Sequence, residues 1–174
     1  MTENNTIATV PAKTLKELSR WCSSGAGAKR RPALATVFYE GGWLYATDSY
    51  RIARVHVGEH PELDGAVLDP ETFDRMTAKD KDAALESDGV RLGRTLIPYD
   101  RDREGIANAK RLFGKRRDDS VDVNINPVYL ADLAKLARAM GCEAVNAWGD
   151  KHELHARMEA GGLVAEAIIM PVRR

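Results

Sequence analysis

The chain has 174 residues, enough to bury one good core or two small ones, and its 44% hydrophobic content is that of an ordinary globular protein. No apolar run approaches the roughly 18 residues of a membrane span, and the first nine residues lack a secretory leader's basic-then-apolar order, so the expectation is a cytoplasmic protein without a membrane partner. Lys plus Arg equals Asp plus Glu at 26 each, so net charge alone points to no nucleic-acid partner.

In chain order, a short strand over residues 7–10 leads into Val10-Pro11, the first of three regularly spaced X-Pro pairs among the chain's seven prolines. Asp69-Pro70 and Asn126-Pro127 follow, with prolines 59 and 57 positions apart, and each pair opens a stretch of helical apolar spacing. Proline suits the first helical position because its missing N–H would be unpaired there, and Asp69 and Asn126 are good caps. Apolar anchors recur at matching offsets: Leu15 and Leu18, Phe73 and Met76, Leu130 and Leu133.

Strand-like runs follow each helix. After the first come residues 33–39, a Glu40-Gly41-Gly42 turn, residues 43–47 and the alternating run 51–57. After the second come residues 83–87, an Asp88-Gly89 turn and residues 90–99; after the third come 144–148, 153–159, a Gly161-Gly162 turn and 163–170. Residues 66–68 and 121–125 are the lead strands of the later units. Each unit reads β-α-β-β-β, so the class is α+β, with one helix on each small antiparallel sheet. The predicted organisation is a domain of two units over residues 1–104 (1–60 and 61–104), a charged linker over 105–119, and a third unit over 120–174. Residues 106–113 within the linker have the pattern of a short helix.

Charge is unevenly placed. Residues 13–31 hold six bases and one acid, whereas 59–104 hold thirteen acids and seven bases. On a helical projection Lys13, Lys16 and Arg20 share a side opposite Leu15, Leu18 and Cys22; on the third helix Lys135 and Arg138 lie opposite a stripe of Leu130, Leu133, Ala134 and Ala137. A solvated face gives the same pattern in any single helix. Two helices of a repeat showing it favour cations that meet phosphates without reading bases, and the absence of interleaved aromatics favours double-stranded DNA over single strands.

No constellation makes an active site. His56 with His60 and His152 with His155 have ligand-like spacing, but a strand over 153–159 sends the second pair to opposite faces, and neither pair has a Cys or carboxylate cluster. Asp80, Asp82, Glu86 and Asp88 read as a solvated face, and Ser49 has no histidine base nearby in sequence. No phosphate loop, dinucleotide fingerprint or nucleophile elbow occurs. The expectation is no enzyme, no metal and no cofactor. Cys22 and Cys142 suit reduced thiols filling core space.

The segment Ala46-Thr47-Asp48-Ser49-Tyr50-Arg51-Ile52-Ala53 resembles the Ala-Thr-Asp-(Ser/Gly)-His-Arg-Leu-Ala stretch of the bacterial DNA polymerase III β sliding clamp family. Ile168-Ile169-Met170-Pro171-Val172-Arg173 is similar to that family's closing strand, and Asn126-Pro127-Val128-Tyr129-Leu130 to the opening of its last helix; Ile97-Pro98-Tyr99-Asp100-Arg101 matches more weakly. The resemblance implies the DNA-clamp fold, with helices lining a channel around duplex DNA and sheets outside. It also implies a hydrophobic pocket for peptides of polymerases and the clamp loader, with Thr47, Ser49, Tyr50, Arg51, Ile52, Pro98, Ile168 and Met170 in its wall. Tyr50 stands where the family has His. The family's chain has six units and closes as a dimer; this chain has about three, so counting units predicts a homo-oligomer of four, a shortened clamp suited to a phage or mobile element. The rival reading is a monomeric clamp-like adaptor or decoy that binds the same peptides without encircling DNA.

Overall fold

The computed structural model describes residues 5–69, 73, 76–77, 79–101, 109–114, 124–150 and 152–172. Strand β1 (Ala8–Pro11) runs into helix α1 (Ala12–Ser19), followed by the short helix α2 (Gly25–Arg30) and a 3-10 turn over Pro32–Ala35. Strands β2 (Val37–Glu40), β3 (Trp43–Thr47), β4 (Arg51–His56) and β5 (Val67–Leu68) come next. Then follow β6 (Asp82–Leu85), β7 (Gly89–Leu92), β8 (Thr95–Pro98) and a 3-10 segment over Ala109–Gly114. Helix α3 (Pro127–Met140) and strands β9 (Asn146–Asp150), β10 (Glu153–Ala160) and β11 (Leu163–Ile169) close the chain.

The strands form two antiparallel sheets, one ordered β1-β6-β7-β8 and the other β5-β2-β3-β4-β11-β10-β9. The lead strands are exchanged. β1 pairs with β6, with Val10 opposite Ala83, while β5 pairs with β2, with Leu68 opposite Val37. Neither of the first two units can therefore complete its sheet alone. The large sheet is continued into the last unit by β4 and β11, where Ile52 lies opposite Ile168 and Ala53 opposite Ala167.

Alternation sorts the large sheet into two faces. Val37, Leu44, Ala46, Ala53, Val55, Ala156, Met158, Ala165, Ala167 and Ile169 belong to the main core, which they share with Leu15, Leu18 and Trp21 from the α1 region and with Leu133, Leu136 and Met140 of α3. The small residues at Ala46, Ala53, Ala165 and Ala167 let the helices approach the sheet closely. α1 and α3 also touch directly, and the Thr14 hydroxyl donates to the Ala139 carbonyl at 3.4 Å. The other face carries a separate cluster of Phe38, Tyr45, Ile52, Val67 and Ile168.

Three expectations are corrected. Residues 33–35 lie in a 3-10 turn rather than a strand, because Pro32 fixes a helical φ at its start. The single run over 90–99 is a hairpin: Gly93, at φ 58, opens a two-residue turn between β7 and β8. The buried stripe of α3 is Leu133, Leu136, Ala137 and Met140, while Leu130 is 42% exposed and Ala134 is exposed. Packing on α1, β10 and β11 selects the i, i+3, i+4, i+7 positions counted from Leu133, and Leu130 lies one turn before them.

The caps of α3 follow the sequence. Val128 N–H donates to Asn126 Oδ1 at 3.0 Å, Pro127 occupies the first turn, and Gly141 ends the helix at φ 82. Most of the expected second helix and of the linker lies outside the described residues, as do residues 121–123; Phe73 and Met76 are buried in the main core.

Gly89 lies opposite Pro98, and a Cβ there would collide with the Ile97 carbonyl. Gly89→Ala should lower unfolding stability by about 1–3 kcal/mol, measured by urea titration, because the β7–β8 hairpin must shift to admit the methyl group.

Candidate functional site

The segment joining β3 to β4 is built by its own side chains. Asp48 Oδ1 accepts the N–H groups of Tyr50 (2.9 Å) and Arg51 (3.1 Å), while Thr47 Oγ1 accepts that of Ser49 at 3.2 Å. Ser49 consequently sits at φ 81, a left-handed conformation that costs a side chain little only when local hydrogen bonds hold it. Met170 N–H donates to the Tyr50 carbonyl at 2.8 Å, which ties this turn to the end of β11.

Arg51 points to the helix side and is 8% exposed. Its Nε donates to Asp48 Oδ2 (3.1 Å), Nη1 to Asp132 Oδ2 on α3 (2.6 Å), and Nη2 to the carbonyl of Arg20 at the end of α1 (2.9 Å). The guanidinium also lies between two aromatic rings, 4.9 Å from the centroid of Trp21 and 4.6 Å from that of Tyr129. Burial works against the charge of Asp132, but hydrogen bonds from Arg51 and Lys135 outweigh it and hold the carboxyl below the usual carboxylate range.

The residues assigned to a peptide pocket do not all lie together. Tyr50 and Met170, 64% and 44% exposed, line an open cavity of about 620 Å³ with Asn126, Tyr129, His152, Pro171 and Val172. Thr47, Ile52 and Ile168 lie under the outer face of the large sheet, all buried, with Ile52 and Ile168 in the cluster of Phe38, Tyr45 and Val67. Arg51 stands beneath them on the helix side, and exposed Ser49 accepts a hydrogen bond from Arg31 Nη1 at 3.3 Å. Pro98 ends β8 in the other sheet; two residues on, Asp100 N–H donates to the Val67 carbonyl at 2.9 Å and brings the chain to the edge of the large sheet.

The outer face holds more than the sequence pattern assigned to it. Phe38 and Tyr45 stack at 5.2 Å, and Arg54 lies over Trp43 at 3.9 Å while its Nε donates to Glu166 Oε2 at 2.9 Å. Phe38, Trp43, Tyr45, Ile52 and Arg54 project to one face because they fall on alternating positions of three neighbouring strands; the signal was present in the alternation, but the strand order that assembles it was not.

Among the basic residues, Lys13, Arg20, Lys135 and Arg138 are exposed on α1, its C-terminal cap and α3, and Lys16 is partly covered. Lys16 Nζ donates to the Met76 carbonyl (3.3 Å), Arg20 pairs with Glu17 (3.0 Å) and Lys135 with Asp132 (3.0 Å). Among the described residues no hydrogen bond or ion pair holds Lys13 or Arg138, so these two head groups are the least committed. His155 is buried and stacks on Trp148 at 5.7 Å, His152 is exposed at the cavity, and His56 meets Trp43 edge-on at 4.7 Å. Burial pushes the Cys22 thiol up to about 12, which leaves it an inert core residue at neutral pH.

No family model matches the sequence, and no curated protein matches it. Among solved structures, the chain is similar to the beta subunit of DNA polymerase III from Thermotoga maritima, with 10% identity and a TM-score of 0.56 over 96% of this chain and 64% of that one. It is similar also to the DNA polymerase III subunit beta from Pseudomonas aeruginosa, with 13% identity and a TM-score of 0.55 over 100% of this chain and 69% of that one. At such identities the likeness is one of fold, and it bears out the resemblance read from the sequence at that level: the chain has the α+β DNA-clamp fold. It spans about two thirds of the length of those subunits.

Replacing Arg51 by Ala leaves Asp48 and Asp132 without their buried cation and should cost about 3–5 kcal/mol at pH 7, measured by urea titration. Since the folded pKa of Asp132 is depressed, its contribution is present above the unfolded value and is lost as pH falls through the folded one. The stability gap between wild type and variant should therefore narrow below about pH 3.9.

Proposed function

We propose that this chain is a DNA sliding clamp, a homo-oligomeric processivity factor that encircles double-stranded DNA and tethers a polymerase and the clamp loader through short peptides. In this reading it acts by binding alone, with no catalysis and no cofactor, in the cytoplasm where replication proceeds. The observation that carries the reading is the division of one continuous sheet into two unlike faces. α1 and α3 lie side by side on one, with exposed Lys13, Arg20, Lys135 and Arg138 on these helices and the α1 cap, while the other gathers an aromatic cluster.

Cations on parallel helices contact phosphates at no fixed base sequence, which suits a ring that must slide. The aromatic and aliphatic outer face, together with the cavity beside Tyr50 and Met170, suits short apolar peptides. Residues 1–104 act as one two-unit domain and 120–174 as half of another, so the peptide site has both its walls in one chain. Four copies restore the twelve units of the family's ring, and closing the ring covers sheet edges such as those at β8 and β9, which have no further strand beside them among the described residues.

Native mass measurement at low salt, with and without circular duplex DNA, tests the ring. The expected result is a four-chain species retained on closed circles and released when they are linearised. A chain that stays monomeric at high concentration removes the ring, and if that monomer still captures peptide the adaptor reading replaces it. Replacing Lys13, Lys16, Arg20, Lys135 and Arg138 together by Ala should weaken DNA retention and flatten its logarithmic salt dependence by about 0.9 for each phosphate no longer neutralised. An unchanged slope places the duplex elsewhere.

A further inference from the structure

The 3-10 segment Ala109–Gly114 carries Phe113, which is packed on the outer-face cluster of Phe38, Tyr45, Ile52, Val67 and Ile168. The Phe113 ring lies 6.1 Å from that of Tyr45 at an interplanar angle of 56°, and the Arg54 guanidinium stands 4.1 Å from its centroid. Its neighbour Leu112 remains 49% exposed. The floor is complete without this ring: Phe38 stacks on Tyr45, and Arg54 is held by Glu166 and spread over Trp43. Phe113 is thus a guest on a surface built by other residues, and it belongs to no strand of that sheet. Two residues of the floor, Ile52 and Ile168, are among those the sequence resemblance gives to peptide recognition.

We propose that residues 109–114 are an intramolecular occupant of the outer-face peptide site, with Phe113 filling the place that an aromatic side chain of a partner peptide takes. The proposal rests on the peptide-tethering reading above. An incoming peptide with a bulky apolar pair would displace Phe113 and set its own ring under Arg54, keeping the cation–ring contact. A tethered ligand acts at an effective concentration on the order of millimolar, so a free peptide meets a site that is open only part of the time, and its apparent affinity falls by that fraction. The same contact keeps an aromatic patch out of water between partners.

The test uses a synthetic peptide of the chain's own sequence over residues 109–114, Ala-Lys-Arg-Leu-Phe-Gly, titrated by calorimetry against the full chain, the Phe113→Ala variant, and Phe113→Ala combined with Ile168→Asp. Phe113→Ala should bind the peptide about ten-fold more tightly than wild type, and Ile168→Asp should abolish the gain. Equal affinity for wild type and Phe113→Ala, with binding still abolished by Ile168→Asp, overturns self-occupancy and leaves peptide tethering standing. No binding to any form overturns both. Wild type gives a second readout independent of whether a variant folds: saturating peptide should increase amide hydrogen exchange at residues 111–113, and unchanged exchange there overturns the displacement.

Discussion

Arg51 occupies the junction at which three parts of the chain must agree. It begins β4, beside β11, and its guanidinium reaches a carbonyl at the end of α1 and a carboxylate on α3 while lying between Trp21 and Tyr129. A buried cation with this many partners is tolerable only when all are in place, because removing one leaves charge without solvent. The pairing of β4 with β11 and the packing of α1 against α3 are therefore set together, and the first and last units share one sheet and one helix layer. A planar fork is required: the three donors of a Lys ammonium diverge from one nitrogen, whereas Arg51 reaches Asp48, Asp132 and the Arg20 carbonyl from three separate nitrogens.

From that junction the two faces of the large sheet follow. Small side chains at Ala46, Ala53, Ala165 and Ala167 admit the helices on one side, and the next residues along the same strands, Tyr45, Ile52, Arg54 and Ile168, build the aromatic and ionic outer layer. A one-residue slip of β4 against β11 would turn Ile52 and Arg54 under the helices and Ala53 and Val55 outward, parting Arg54 from Glu166. The basic helix surface and the apolar outer surface are consequences of a single register.

The segment that most resembles a known family has a structural explanation of its own. Asp48 caps the β3–β4 turn and also binds the Arg51 side chain, and Ser49 takes the left-handed conformation this turn needs. The Asp and Arg of the motif hold the junction, while Tyr50, at the tip, is left exposed toward the cavity. The motif thus shapes the chain beneath the cavity.

Local chemistry was legible in the sequence. Pro127 opened α3 under its Asn126 cap, Pro11 stood just before α1 as the last residue of β1 rather than at the first helical position, glycine pairs made the β2–β3 and β10–β11 turns, and alternation marked β4, because caps, turns and periodicity depend on residues within a few positions of one another. The α+β class followed from these. The strand break at Gly93 was missed because one glycine within an apolar run carries little signal, and Leu130 was misplaced because a helix projection does not show where the neighbouring sheet ends. Only the tertiary structure decided that β1 and β5 exchange units, that β4 joins β11, that Arg51 turns inward while Ile52 turns outward, and that Phe113 comes to rest on Tyr45. Each is a pairing between residues distant in the chain, fixed by which surfaces fit once all elements are present, and no local pattern encodes it.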